Sequence, residues 1–375
     1  MKSRNFLKLA VARPREAGIA AAALAACGAA LAPMGAQAAG YSFQTINDPA
    51  DFPPPPGAGG LTFTNLMGIN SSGDMIAGFY GSGAAGDPNT GFVLALPTKT
   101  FTPENVPPPF VQTQITALND IDTLTGYTYP TNLGVQFDFQ FGFYKLKGSG
   151  TFVQVNNPQT PDCGVSGACD PGVITENQLI GVNNANLAVG FFVDSHGDSH
   201  GYTYQIGAMN PFSPDINDPN AVSTVTAAIN NLGDIAGFYT DSGGVTHGFI
   251  DDNGSFTTVD PAGSTETQLL GLNDKGIADG FAVIDGFQHG ILFNSLTDTF
   301  TILDPPGSMQ TTLNGLNDAG KVVGFFVDAA GNTDGTLGTP VPEPATWVMM
   351  LAALAGLGWL GLRSSRRPEV ARAPS

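Results

Sequence analysis

The sequence predicts an all-β fold, a closed six-bladed β-propeller of four-stranded blades, flanked by an N-terminal signal peptide and a C-terminal transmembrane helix. Three observations predict it. Forty-nine Gly and 28 Pro stand beside only 12% charged residues in a chain of 375, which suits many short strands joined by tight turns and argues against long amphipathic helices. One pattern, an Asn followed seven or eight residues on by Gly and an aromatic residue, recurs six times. The last copy stops one strand short, and a segment that fits the missing strand stands just after the N-terminal signal.

Residues 1–38 read as that signal peptide. Five basic side chains precede Ala17, the stretch 17–31 is almost all Ala, Gly, Leu and Ile, and Ala36-Gln37-Ala38 puts small residues at the cleavage spacing. Leu24-Ala25-Ala26-Cys27 resembles a bacterial lipobox, whose Cys is lipidated, and stands as a competing site. The apolar run continues past it to Ala36, where a lipoprotein would already have turned polar.

The repeated Asn falls at Asn70, Asn119, Asn183, Asn230, Asn273 and Asn317, a period in the forties with one longer gap, and such periods mark propeller blades. In four copies Gly follows the Asn three residues later, which suits a hairpin turn, because Asn tolerates the left-handed region and Gly takes positive φ freely. Two residues before the Asn stands Gly68, Ala117, Gly181, Ala228, Gly271 or Gly315. So small a residue calls for a neighbour packed close against the strand. The residue just before the Asn is always Ile, Leu or Val and should face the core. Third strands begin near His200, His247 and His289, each followed by Gly. Fourth strands follow as Phe256 to Pro261 and Phe300 to Pro305, with looser versions at Phe101, Phe152 and Phe212. Copy six lacks a fourth strand, and Phe43 to Pro49 matches its pattern. Residues 41–337 therefore read as one ring whose N-terminal strand completes the last blade and leaves no open edge.

This pattern resembles the extracellular HAF-repeat family, named for a His-Ala-Phe stretch after the Asn-Gly hairpin. The chain reads His-Gly-Tyr, His-Gly-Phe and His-Gly-Ile in three copies only. The resemblance implies architecture and an extracellular location, and brings no activity with it.

A binding site in such a ring belongs to its innermost strands. Six residues before each Asn stand Thr64, Thr113, Asn177, Thr224, Thr267 and Thr311, the candidate channel lining. Their hydroxyl and amide groups suit sugars or water but make poor acids or bases near neutral pH. Thr as a plain strand former is the alternative account. Glu176 and Glu266 come one residue earlier and should point to the opposite face, which disfavours a paired-carboxylate glycosidase. His200, His247 and His289 occupy equivalent third-strand places, on the order of 10 Å or more apart and too far to share a metal. Their expected role is hydrogen bonding to nearby turns. His196, with Asp194 and Asp198, lies where other copies read as polar hairpin turns. No serine elbow, phosphate loop, dinucleotide fingerprint or zinc-spaced Cys and His set appears. No catalytic residue and no metal ligand is therefore nominated, and calcium is the one cofactor left open. Cys163 and Cys169 share a Gly-rich loop in the longest gap. In an exported chain they are expected to form a local disulfide, with two free or metal-bound thiols as the alternative.

Residues 338–344 form a linker ending in Pro342-Glu343-Pro344, an apolar run follows over 345–362, and a basic tail over 363–375 carries Arg363, Arg366 and Arg367. The run is near the short limit of a membrane span, and the arginines should stay cytoplasmic with everything upstream outside. This order closely resembles the PEP-CTERM sorting signal of Gram-negative bacteria that make exopolysaccharide. The resemblance implies a partner, the membrane-embedded transpeptidase-like enzyme exosortase. It also implies a chain anchored transiently in the inner membrane, then released to or retained at the cell surface. A plain anchor that no enzyme recognises is the alternative.

Both ends are basic, so the net charge of −18 understates the acidity of the middle, whose basic residues are Lys99, Lys145, Lys147, Lys275 and Lys321. Such a surface repels phosphate backbones, which excludes nucleic acid and disfavours anionic membrane surfaces as partners, while cations and neutral polymers remain open. The expected function is that of an exported, non-catalytic cell-surface or matrix protein, associated with exopolysaccharide and acting by binding or structure. The competing class is a secreted polysaccharide- or lactone-active enzyme on a propeller scaffold.

Overall fold

A computed structural model of the chain describes residues 40–48, 62–81, 88–130, 139–159 and 175–341. The signal peptide, Cys163 and Cys169, the Pro-Glu-Pro motif, the apolar run 345–362 and the three tail arginines lie outside the described residues. Within them the chain has 23 strands and no helix. Unit 1 comprises β2 (Thr64–Ile69), β3 (Met75–Tyr80), β4 (Thr90–Ala95) and β5 (Thr100–Pro103). Unit 2 comprises β6 (Phe110–Leu118), β7 (Leu124–Pro130), β8 (Phe139–Lys145) and β9 (Val153–Val155). Unit 3 has β10 (Thr175–Val182), β11 (Leu187–Val193) and β12 (Ser199–Gln205). Unit 4 has β13 (Ala221–Ile229), β14 (Ile235–Asp241), β15 (Thr246–Asp252) and β16 (Ser255–Val259). Unit 5 has β17 (Ser264–Leu272), β18 (Ile277–Ile284), β19 (Phe287–Asn294) and β20 (Thr299–Ile302). In unit 6 the sequence-consecutive strands are β21 (Ser308–Leu316), β22 (Val322–Asp328) and β23 (Thr333–Pro340).

Consecutive strands of each unit pair antiparallel, so the hairpins alternate between two ends of the unit. The first and third turns point to one end, and the second turn and the connection to the next unit point to the other. The recurring Gly before an aromatic residue has a local cause. In every unit the inner strand bulges near its end, as between Leu179 and Gly181 or between Leu269 and Gly271. A Cβ on Gly280 of the facing strand would then overlap the carbonyl oxygen of Gln268. The aromatic residue after that Gly is buried in every unit, as Phe79, Tyr127, Phe191, Phe238, Phe281 and Phe325.

Unit 3 departs from the four-strand expectation. Its outer segment makes only two isolated bridges, Tyr204 to Phe212 and Gly201 to Ile216. Pro211, Pro214 and Pro219 bracket it, and proline has no N–H to give a ladder.

The outer strand of unit 6 is β1 (Tyr41–Thr45), which pairs antiparallel with β23 from Tyr41 opposite Pro340 to Thr45 opposite Thr336. The Ile46 amide then donates to the Gly335 carbonyl at 2.8 Å. Ile46 is buried in one cluster with Leu66, Phe92, Val323 and Leu337, so the N-terminal strand is packed into units 1 and 6 together. The inner strands β2, β6, β10, β13, β17 and β21 follow one another in space, and β21 lies beside β2. Asn314 Nδ2 donates to the Leu66 carbonyl across that junction at 2.9 Å. At the residues two before each Asn the strands come closest. A Cβ on Gly68 would touch the backbone of Ala117, one on Gly181 that of Ala228, and one on Gly315 that of Met67 and Gly68. The small residue thus has the backbone neighbour that its size requires.

Candidate functional site

The first hairpin of every unit turns on the repeated Asn. The Oδ1 of Asn230 accepts the amides of Leu232 at 3.0 Å and Asp234 at 2.9 Å, which closes the turn. Its Nδ2 donates to Asp234 Oδ2 within the turn at 2.9 Å and to the Asn273 carbonyl of the next unit at 3.3 Å. Asn119, Asn183, Asn273 and Asn317 repeat this link, the last of them reaching the Asn70 carbonyl at 3.2 Å. A second circle lies one residue on. The amides of Ser71, Asp120, Asn184, Asn231 and Asp274 each donate to the side-chain oxygen of the corresponding residue in the next unit. The Asn therefore does two jobs, and only the turn was readable from one copy of the repeat. Replacing Asn230 by Ala should cost about 2 kcal/mol, since it removes turn bonds and an inter-unit bond. Asn230→Asp keeps the turn acceptor but loses both Nδ2 bonds and sets a second carboxylate against Asp234, so it should cost at least as much at pH 7. Urea unfolding of the three proteins checks the order.

Behind this ring runs a channel. A cavity of about 110 Å³ is walled by residues of all six inner strands, among them Met67, Ile180, Ala227 and Leu270. A second cavity of about 80 Å³ carries it on to the Asn ring. Ile69, Leu118, Val182, Ile229, Leu272 and Leu316 border both, and they also pack in the hydrophobic clusters of the units, as Leu272 does with Leu269 and Leu118 with Ile115. Its walls are mostly apolar, and its mouth at the Asn ring carries the carboxylates of Asp120, Asp274 and Asp318.

The Thr ring lies elsewhere, which corrects the expected lining. Thr64, Thr113, Asn177, Thr224, Thr267 and Thr311 are buried. Several hold the preceding unit instead of facing the channel. The hydroxyls of Thr64, Thr113 and Thr224 accept the amides of Asp48, Val106 and Asp218, and Asn177 accepts that of Asn157. The Thr267 methyl packs where a Cβ on Gly248 would sit, and the Thr311 methyl likewise at Gly290. Strand alternation then gives the other face to the neighbours in sequence. Gln178 Nε2 donates to Gln140 and, at 3.4 Å, to Glu176. In unit 5 Gln268 donates to Glu266 at 2.9 Å. The Oε1 atoms of Gln178 and Gln268 are buried without a partner. Burial raises the Glu266 carboxyl above its ordinary range, and the hydrogen bond from Gln268 offsets part of the rise.

The third-strand histidines clasp the outer edge of their own unit. His247 Nδ1 meets Asp260 at 2.6 Å and its Nε2 faces Asp241 at 3.5 Å; His289 Nδ1 meets Asp304 at 2.7 Å. His200 lies 3.3 Å from Asp194. Asp194 and Asp241 also cap the second hairpin, accepting amides two and four residues on. Burial works to raise the Asp194 carboxyl, but those amides and His200 hold it at about 2. Carboxylates thus face both ring nitrogens of His247. Among the described residues no group of three or more His, Cys, Asp or Glu could hold a metal ion. Burial disfavours the charged His247, but the hydrogen bond and charge of Asp260, then of Asp241, outweigh it and raise the ring above its usual range. The stability this contributes is complete below about pH 6.5 and is lost as pH rises through the higher folded value. His247→Asn should therefore lower the thermal midpoint more at pH 5.5 than at pH 8.5.

One carboxylate breaks the repeat. The residue before the strand-two Gly is Ala77, Thr125, Val189, Ala236 or Val323 in five units and Asp279 in unit 5. Asp279 is fully buried between units 5 and 6, and neither oxygen has a hydrogen-bond partner of good geometry. Burial raises its carboxyl well above the ordinary range, against a smaller pull from the Gly315 amide.

These features define an all-β, propeller-like repeat protein. Its address is carried by the C-terminal end. Residues 340–367 match the PEP-CTERM protein-sorting motif. The chain thus bears the recognition signal for exosortase, which marks it for export and sorting at the membrane. No curated protein matches the chain in sequence comparison. Among solved structures it is similar to TolB from Acinetobacter baumannii, at 11% identity and a TM-score of 0.49 over 72% of this chain and 65% of that one. AofleA from Arthrobotrys oligospora gives 11% identity and 0.44 over 80% and 84%. Trypanosoma rangeli sialidase gives 7% and 0.43 over 83% and 59%. At such scores these likenesses carry no argument, and the fold stands on its own strand pairing.

Proposed function

We propose that the chain is an exported, non-catalytic cell-surface or matrix protein, built as a closed six-bladed propeller and acting by binding or structure beside exopolysaccharide. The observation that carries the reading is the sorting motif, which begins at the last residue of β23. The last unit therefore passes straight into the signal, and the whole ring is its cargo. In this reading residues 1–38 are removed as a signal peptide, 345–362 anchor the chain transiently in the inner membrane, and 363–375 stay cytoplasmic. The likeness to HAF-type repeats supports the extracellular location. Exopolysaccharide enters as the neutral polymer that an acidic, Gly-rich surface tolerates. The test is localisation in cells with and without the exopolysaccharide locus. Surface retention that is lost with the polymer supports the association, and unchanged retention removes it.

A second reading, an enzyme acting on polysaccharide or lactone, rests on Glu176 and Glu266. They stand at one register in units 3 and 5, and Glu266 has the raised pKa of a general acid. Hydrolysis of the polymer by wild type but not by the Glu176→Gln, Glu266→Gln double variant would establish it.

A further inference from the structure

We infer that the end of the ring bearing the Asn circle is a docking surface for the lipid bilayer, which it covers while the chain is anchored. The inference rests on the anchored reading above and adds an orientation to it. Both chain ends leave the ring at that end. The Val341 amide donates to the Gly40 carbonyl at 2.6 Å, and the Tyr41 hydroxyl donates to the carbonyl of Gly320, in the first turn of unit 6, at 2.8 Å. Four residues, Val341 to Pro344, separate β23 from the apolar run. Fully extended, such a linker reaches about 17 Å. A tether so short holds this end, and not the opposite one, against the membrane.

The surface chemistry of that end fits the contact. Its turns expose Ile121, Leu146, Met209, Leu232 and Leu296, of which Met209 is 99%, Leu296 82% and Leu232 69% exposed. Apolar tips of this kind gain free energy by entering the interfacial layer. All five lysines of the described residues, Lys99, Lys145, Lys147, Lys275 and Lys321, stand in or beside the same first and third turns. The same turns also carry Asp74, Asp120, Asp122, Asp234, Asp252, Asp274, Asp298 and Asp318, and Lys145 and Lys147 are paired with Glu104 and Asp122, so the contact is carried by the tether and the apolar tips and not by charge. The opposite end also exposes apolar side chains, Phe287 and Met309 among them. It carries no lysine among the described residues, and Asp194, Asp241, Asp260, Asp304 and Asp328 cluster there.

Three single cysteines, Leu296→Cys, Met209→Cys and Phe287→Cys, test the orientation in the full chain with Cys27, Cys163 and Cys169 changed to Ser. Each is labelled with a fluorophore, and the protein is reconstituted into vesicles of phosphatidylethanolamine with a minor fraction of phosphatidylglycerol and a headgroup spin-labelled lipid as quencher. Leu296 and Phe287 lie at opposite ends of unit 5, and Met209 is in unit 3, across the ring from the exit in unit 6. The expected result is that labels at 296 and 209 lose most of their emission while the label at 287 keeps its own. Quenching at 296 alone would mean a tether without docking and would overturn the proposal, as would equal quenching at 287. If the chain does not float with the vesicles at all, the anchored reading fails first and the docking face with it. Unfolding curves that match the parent protein confirm that each variant is folded.

Discussion

Deleting residues 41–48 is expected to abolish cooperative unfolding of the ring and to cause aggregation. The segment looks like a loose start of the chain, but it supplies the outer strand of unit 6, five residues in register with β23. It also buries Ile46 against Leu66, Val323 and Leu337. Losing a buried Ile costs about 2–5 kcal/mol, and the lost strand bonds and the part-buried Tyr41 and Phe43 add to it. The sum is comparable with the about 5–15 kcal/mol that holds an ordinary domain folded. The deletion also uncovers the edge of β23, a template for pairing with other chains. Thermal unfolding and size-exclusion chromatography would read both effects. In an open array the outcome would differ, because a terminal strand caps only its own end and distant repeats would keep their transition.

Replacing Asp279 should have an effect of opposite sign. Its carboxyl sits where units 1 and 4 place Ala and units 3 and 6 place Val, against the backbone of Gly271. The Tyr41 hydroxyl of β1 is raised by burial first and by Asp279 second. Leaving a buried polar group without a partner costs about 1–3 kcal/mol, and more if it is charged. Asp279→Ala should therefore stabilise the ring by about 2 kcal/mol or more at pH 7. The sign of the pH dependence follows from the raised folded value. Below about pH 4 both states are protonated and the wild type carries no ionisation penalty. As pH rises toward the folded value the unfolded chain releases the proton and the folded one retains it, so stability falls by up to about 1.4 kcal/mol per pH unit. Asp279→Asn should remove this slope while keeping the shape. Parallel stability curves for wild type and Asp279→Asn between pH 4 and 8 would show that the carboxyl is not confined as described.

Much of this arrangement can be read from the repeat. Six Asn at related spacings give the six units, the small residue two before each gives the close strand approach, and the absent last strand points to the N-terminal segment that fills it. What eluded the sequence has particular physical causes. Alternation separates Thr267 from Glu266 and Gln268 but does not say which set turns to the preceding unit. The Thr ring was chosen on position alone, and the bonds of Thr64, Thr113 and Thr224 to the preceding unit were not readable from it. The second role of Asn230 was hidden because a turn already accounts for Asn and Gly, and only the neighbouring unit shows where Nδ2 goes. Asp279 could have been found, since one carboxylate stands in a column of Ala, Val and Thr. The His-Asp clasps were half visible, because Asp260 and Asp304 follow their histidines at similar spacing, yet pairing across β15 and β16 or β19 and β20 decides their contact.

The central claim is that one continuous ring is delivered by the sorting signal, and the junction of first and last strands tests it most directly. Ser42 and Thr339 are partners in the β1 and β23 register, so cysteines at both, with Cys163 and Cys169 changed to Ser, stand within reach of one bond. Oxidation of the exported protein is expected to give an intramolecular disulfide in nearly every molecule and to raise the thermal midpoint. Free thiols after oxidation, or crosslinks only between chains, would contradict closure.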